Sequence, residues 1–151
     1  MIKTLLFYFL ITTALAGDLP DPNLTPGLAD PALTKEVICD PHWHTAMVRN
    51  VSDQTKDEVY ASYGMSRDKE PCPCEVDHLV PLETGGSNDK KNLWPQSYTT
   101  QPWNAHVKDK LENQLHDDVC AGKMPLAAAQ WAIAKNWIKL YEFFQFTPGA
   151  K

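Results

Sequence analysis

Glu75-Val76-Asp77-His78-Leu79-Val80-Pro81 leads into Leu82-Glu83-Thr84-Gly85-Gly86-Ser87-Asn88-Asp89 and then Asn92-Leu93-Trp94-Pro95, two apolar runs on either side of a glycine turn. The residues around Asp77-His78 form a short strand that Pro81 brings to an end, because proline donates no ladder hydrogen bond. Gly85-Gly86 with Ser87-Asn88-Asp89 turns the chain back, glycine being free to take positive φ. Asn92 opens a second short strand. A helix rich in Asn, His, Lys and Asp follows.

Beyond this stretch, Val107, Leu111, Leu115 and Val119 recur at helical spacing. They predict a helix from near Pro102 or Asn104 to Cys120, stopped by Gly122. Pro125 opens a further helix, at a position where its missing N–H costs nothing. Leu126, Ala129, Ile133, Trp137, Leu140 and Phe144 give that helix its buried stripe, with Trp131, Tyr141 and Phe143 thickening the aromatic packing. Upstream, Ser52 or Asp53 through Tyr63 reads as a helix with Val59 and Tyr63 on one face and Gly64 behind it. Ser66 to Pro73 is a polar, proline-interrupted connector. His42 and His44, flanking Trp43, read as loop or edge histidines.

The N-terminus reads as an address. Met1-Ile2-Lys3 is a basic start, Leu5 to Ile11 an apolar run, and Ala14-Leu15-Ala16 a small-x-small cleavage pattern. The apolar run is shorter than the roughly 20 residues a membrane span needs. Residues 1–16 are therefore expected to be a secretory signal, 17–35 an extended proline-rich leader, 36–146 the folded domain and 147–151 a tail. The expected fold class is α+β, a mainly helical single domain built around the strand–turn–strand–helix unit and stapled by disulfides. The expected product is an exported monomer, periplasmic or secreted, with no membrane attachment once the signal is removed. Four cysteines in an oxidising compartment suggest two disulfides, and the sequence allows three pairings. Cys39 with Cys120 is the expected long-range clamp; Cys72 with Cys74 would be sterically tight.

The 151 residues carry 14 Lys and Arg against 19 Asp and Glu, a net charge of −5. That balance disfavours a non-specific nucleic-acid binder, whose affinity comes from neutralising phosphates. A basic groove would have to be local, and Lys90, Lys91, Lys108 and Lys110 lie near the central stretch in sequence. No Gly-x-Ser-x-Gly elbow is present, and paired cysteines leave no thiol nucleophile.

Asp77-His78 brings together a hard oxygen ligand and an imidazole that can accept a proton near neutral pH. Hydrolysis of a phosphodiester asks for such a base, a positive centre beside the developing charge, and help for the leaving oxygen. Adjacent strand residues point to opposite faces, so the two can serve one phosphate only where the strand ends or twists.

Taken as a set, Val76 through Glu83, Gly85-Gly86-Ser87-Asn88, Asn92-Leu93-Trp94-Pro95, Lys108-Asp109 with Glu112-Asn113, and Val119-Cys120-Ala121-Gly122 followed by Ala129-Gln130 resemble a family of exported bacterial HNH, or ββα-metal, endonuclease-like proteins. The resemblance runs from about Thr25 to Trp137. It implies a ββα-metal unit, cleavage of nucleic acid with DNA ahead of RNA, and one divalent ion, Mg²⁺ first with Mn²⁺, Ca²⁺ or Zn²⁺ as alternatives. Carried over residue by residue, it makes His78 the general base, places the ion on Asp77 and a group from Asn104 or His106, gives Asn92 a bracing role and sets Lys108 near the phosphate. Asp109, Glu112 and Asn113 are reserve ligands or their supports. Two features depart from the pattern: no Cys-x-x-Cys pair flanks the helix, and the helix ligand is not unique, since Asn104 also reads as an N-cap and His106 as a surface residue. The alternative is an exported, non-catalytic binding module that keeps the scaffold. Geometry separates the two. Asp77 and a helix side chain should converge on a cation at about 2.0–2.6 Å, whereas an Asp77 held in a salt bridge favours the module.

Overall fold

Strands β1 (Cys74–His78) and β2 (Leu93–Ser97) pair antiparallel, with Asp77 opposite Trp94 and His78 opposite Leu93. The computed structural model describes residues 18–68 and 73–146, so the expected signal, Cys72 and the C-terminal tail lie outside the described residues. β1 ends at His78, and the chain returns through two short 3-10 turns, Leu82–Thr84 and Lys90–Asn92. Gly85 sits at φ +75°, and a Cβ on Gly86 would lie 1.8 Å from the Val80 carbonyl oxygen. Only glycine fits the second position, which explains the Gly-Gly pair in mechanical terms.

Helices α1 (Lys35–Ile38), α2 (Asp53–Ser62), α3 (Ala105–Cys120) and α4 (Leu126–Phe146) surround the hairpin in an α+β domain. α2 starts where Ser52 accepts from Thr55 N, and α3 where Asn104 accepts from Val107 N. Ile38, Leu79, Trp94, Leu111, Leu115, Val119, Ala129, Ile133 and Trp137 form the centre of the core, each at most 2% exposed. The predicted stripes of both long helices therefore face inward. Trp131 and Phe143 do not: they are 69% and 53% exposed, because they fall off the Ala129–Ile133–Trp137 stripe. α4 also breaks its helical geometry at Asn136 (φ −171°, ψ 95°), whose Oδ1 accepts from Lys139 N and restarts the helix.

The proline-rich leader is part of the fold from Asp18 onward. Trp137 Nε1 donates to the Asp18 carbonyl, Thr25 Oγ1 bonds the Tyr63 hydroxyl and the Leu93 carbonyl, and Ala29 bridges to Gly86. The Cys39–Cys120 disulfide joins the end of α1 to the end of α3 across 81 residues of sequence. Cys74 is disulfide-bonded as well. Among the described residues, no helix is long and apolar enough to cross a membrane.

Candidate active site at the Asp77-His78 corner

Strand alternation sends Asp77 and His78 to opposite sides of the hairpin. Asp77 meets α3. Its Oδ2 accepts from Lys108 Nζ at 2.7 Å, and the same ammonium donates to the His78 carbonyl at 2.7 Å and to Glu112 Oε1. Lys108 is fully buried, while the Asp77 and Glu112 side chains are 13% and 14% exposed. Two carboxylates and a carbonyl hold the ammonium charged, so its pKa is raised although burial alone would lower it. One ammonium cannot satisfy two buried carboxylates equally. Burial first, and then the Asp77 charge, push Glu112 up to about 8 against the opposing pull of Lys108.

The lysine expected beside the phosphate is therefore inside the protein, and a long apolar stem one helical turn before Glu112 is what carries it there. The other predicted helix groups are also committed. Asn104 caps α3 through Oδ1 and donates from Nδ2 to the Thr100 carbonyl at 3.0 Å. His106 is exposed, with its ring 5.3 Å from that of Tyr98 and Nδ1 3.9 Å from Asp109. Asp77, Asn104 and His106 thus turn to different partners, and the predicted donor set does not fit a divalent ion. Among the described residues, no group of three or more His, Cys, Asp or Glu is arranged to hold one. Burial, and then the bond that Tyr98 donates to Glu75 Oε2 at 2.8 Å, drive the phenol up to about 12.

His78 faces the other way, and its side is open. The ring is almost buried, with the whole residue 3% exposed. Nε2 lies 3.1 Å from Asn88 Oδ1, and Asn88 Nδ2 donates to the Val48 carbonyl at 2.8 Å. The amide is oriented by that second bond, so its oxygen faces the ring and Nε2 carries the proton, leaving the lone pair on Nδ1. Burial lowers the pKa of His78, partly opposed by the Asn88 bond and the Asp77 charge, which keeps the imidazole neutral at pH 7. A neutral imidazole with one nitrogen fixed is the form a general base needs.

His78 lines a cavity of about 500 Å³ together with Arg49, Lys56, Tyr60, Arg67 and Glu75. The chain contains two arginines, and both are here. Arg67 is paired with Asp53 and Asp57, and Lys56 with Asp53. Arg49 has no ion-pair partner among the described residues, and its charge acts on His78. The basic groups forecast from sequence are elsewhere: Lys90 pairs with Glu58 at 2.6 Å, and Lys110 lies in the groove between α3 and α4 beside Tyr141 and Phe144.

Asn92 supports the turn that carries Asn88. Fully buried, it accepts at Oδ1 from Leu28 N and Val80 N and donates from Nδ2 to the Val80 and Ser87 carbonyls. Arg49 and Arg67 escaped the sequence reading, and Asn88 entered it only as a turn residue, not as the partner of His78. The one available signal was the scarcity of arginine in the chain. The chain matches no protein-family model, no curated protein and no solved structure.

Proposed function

We propose that this protein is an exported hydrolase of phosphodiester bonds in nucleic acid, an HNH-like endonuclease in which His78 is the general base. One observation carries the reading: a neutral imidazole, fixed by Asn88, opens on the cavity that gathers both arginines of an otherwise acidic chain. In that cavity Nδ1 of His78 takes the proton of an attacking water, and the Arg49 guanidinium faces the charge that develops on the phosphoryl oxygens. Lys56 and Arg67 line the path of the phosphate backbone. DNA is placed ahead of RNA as substrate. The Cys39–Cys120 disulfide supports export to an oxidising compartment.

The second reading, an exported binding module without catalysis, is favoured by the Asp77–Lys108 salt bridge. The same cleft would then hold a nucleic-acid strand and leave it intact.

Incubation with plasmid DNA and with RNA, in added Mg²⁺ and in chelator, beside His78→Ala and Arg49→Ala, tests both readings. Cleavage should drop by about 10²–10⁴-fold in His78→Ala, the range a general base contributes. Cleavage undiminished in His78→Ala sinks the mechanism. Retention of nucleic acid that depends on Arg49, with no cleavage in any arm, establishes the binding module. The chelator arm reads out the dependence on a divalent ion.

A further inference from the structure

Three oxygens from two elements converge on one buried point: Asp77 Oδ2 and the His78 carbonyl from β1, and Glu112 Oε1 from α3. Carboxylate and carbonyl oxygens gathered in this way are the donors that hard cations select. The point is occupied by the ammonium of Lys108, whose three protons match the three acceptors.

We infer that Lys108 is a built-in cation, standing where a divalent ion would sit between Asp77, Glu112 and the His78 carbonyl. An ion bound to these oxygens would lie against a like charge that is fully buried. The polypeptide thus supplies the charge that draws β1 onto α3 and fixes the backbone of His78. This goes beyond the hydrolase reading and does not depend on it.

Two consequences follow from that exclusion. The protein as it stands takes no divalent ion at Asp77, and removal of the ammonium converts the same oxygens into an ion site. Calorimetric titration with Ca²⁺ and with Mn²⁺, together with thermal melting, should be run on the natural chain, Asp77→Asn and Lys108→Ala. The natural chain should show no saturable site sensitive to Asp77→Asn and no shift in melting temperature. Lys108→Ala should bind one equivalent of either ion, with a rise in melting temperature that grows with ion concentration. Methylammonium should restore its melting temperature in place of the missing side chain.

A divalent site in the natural chain that vanishes in Asp77→Asn overturns the inference. So does a folded Lys108→Ala that neither binds an ion nor responds to methylammonium. If Lys108→Ala does not fold, the titrations of the natural chain and Asp77→Asn decide the matter alone. Neither readout uses hydrolysis, so failure here and failure of the proposed reaction are separate results.

Discussion

The two sides of one hairpin have opposite electrostatic designs. On the Asp77 side, opposite charges meet inside the protein, and Lys108, Asp77 and Glu112 satisfy one another with little contact with water. On the His78 side, a neutral imidazole and an Arg49 with no ion-pair partner among the described residues border an open cavity. Asp77 and His78 are sequence neighbours, yet a strand assigns them to different solvents. Charge that is satisfied internally organises structure. Unsatisfied charge beside a poised base is what a ligand can use.

Lys108→Met should break the closed side most severely. It leaves the Asp77 carboxylate buried without its partner, and removing one member of such a pair costs about 3–5 kcal/mol. That is a large part of the roughly 5–15 kcal/mol by which domains are stable. Denaturant unfolding measures the loss. Adding Asp77→Asn to Lys108→Met should return part of it, since the stranded charge is then gone. A Lys108→Met protein as stable as the natural chain would show that the pair holds nothing together.

The open and closed sides should also differ in the sign of their pH dependence. His78 has its pKa lowered by burial from 6.5, so the folded state disfavours its protonation. Stability linked to it is present above 6.5 and is lost as pH falls below that value through the folded pKa. Glu112 is raised from 4.5 to about 8, so its contribution is full below 4.5 and is lost as pH rises through about 8. Chemical unfolding across pH 4 to 9 should therefore lose its acid-side slope in His78→Gln and its alkaline-side slope in Glu112→Gln. The proposed hydrolysis, which needs the neutral imidazole, should rise with pH along a limb whose midpoint lies below 6.5 and then level off. A limb centred above 6.5 would remove His78 from the role of base.

Much of the closed side was legible in the sequence, and the open side was not, for a physical reason. Helical and strand periodicity placed the Asp77-His78 strand, the Gly85-Gly86 turn and the inward stripe from Val107 to Val119, because those patterns are local. The spacing of Lys108 and Glu112 allows an i,i+4 pair, but the burial of Lys108 depends on how closely β1 approaches α3. The open side depends on the loop from Val48 to Ser52 lying beside the turn at Asn88, a contact spanning 40 residues. No local pattern encodes that contact, so Arg49 and Asn88 could not be singled out. The basic cluster was sought among lysines close in sequence to Asp77-His78, whereas the arginines arrive from before and after α2.

The smallest effect expected separates a charge that a ligand can use from one that is merely exposed. Lys90 and Glu58 form a short ion pair, but their side chains are 58% and 42% exposed. Such pairs contribute little, since water already solvates both partners and holding two long side chains costs entropy. Lys90→Ala should therefore leave unfolding almost unchanged, and raised salt should erase even the small difference. Arg49→Ala should be equally mild in unfolding experiments, because this side chain has no ion-pair partner among the described residues to leave stranded. The two variants should part company in a nucleic-acid binding titration over increasing salt. Loss of a phosphate contact reduces the slope of log affinity against log salt by about one, and that loss is expected for Arg49→Ala and not for Lys90→Ala. Equal slopes in the two variants would mean that the cavity beside His78 is not where the phosphates lie.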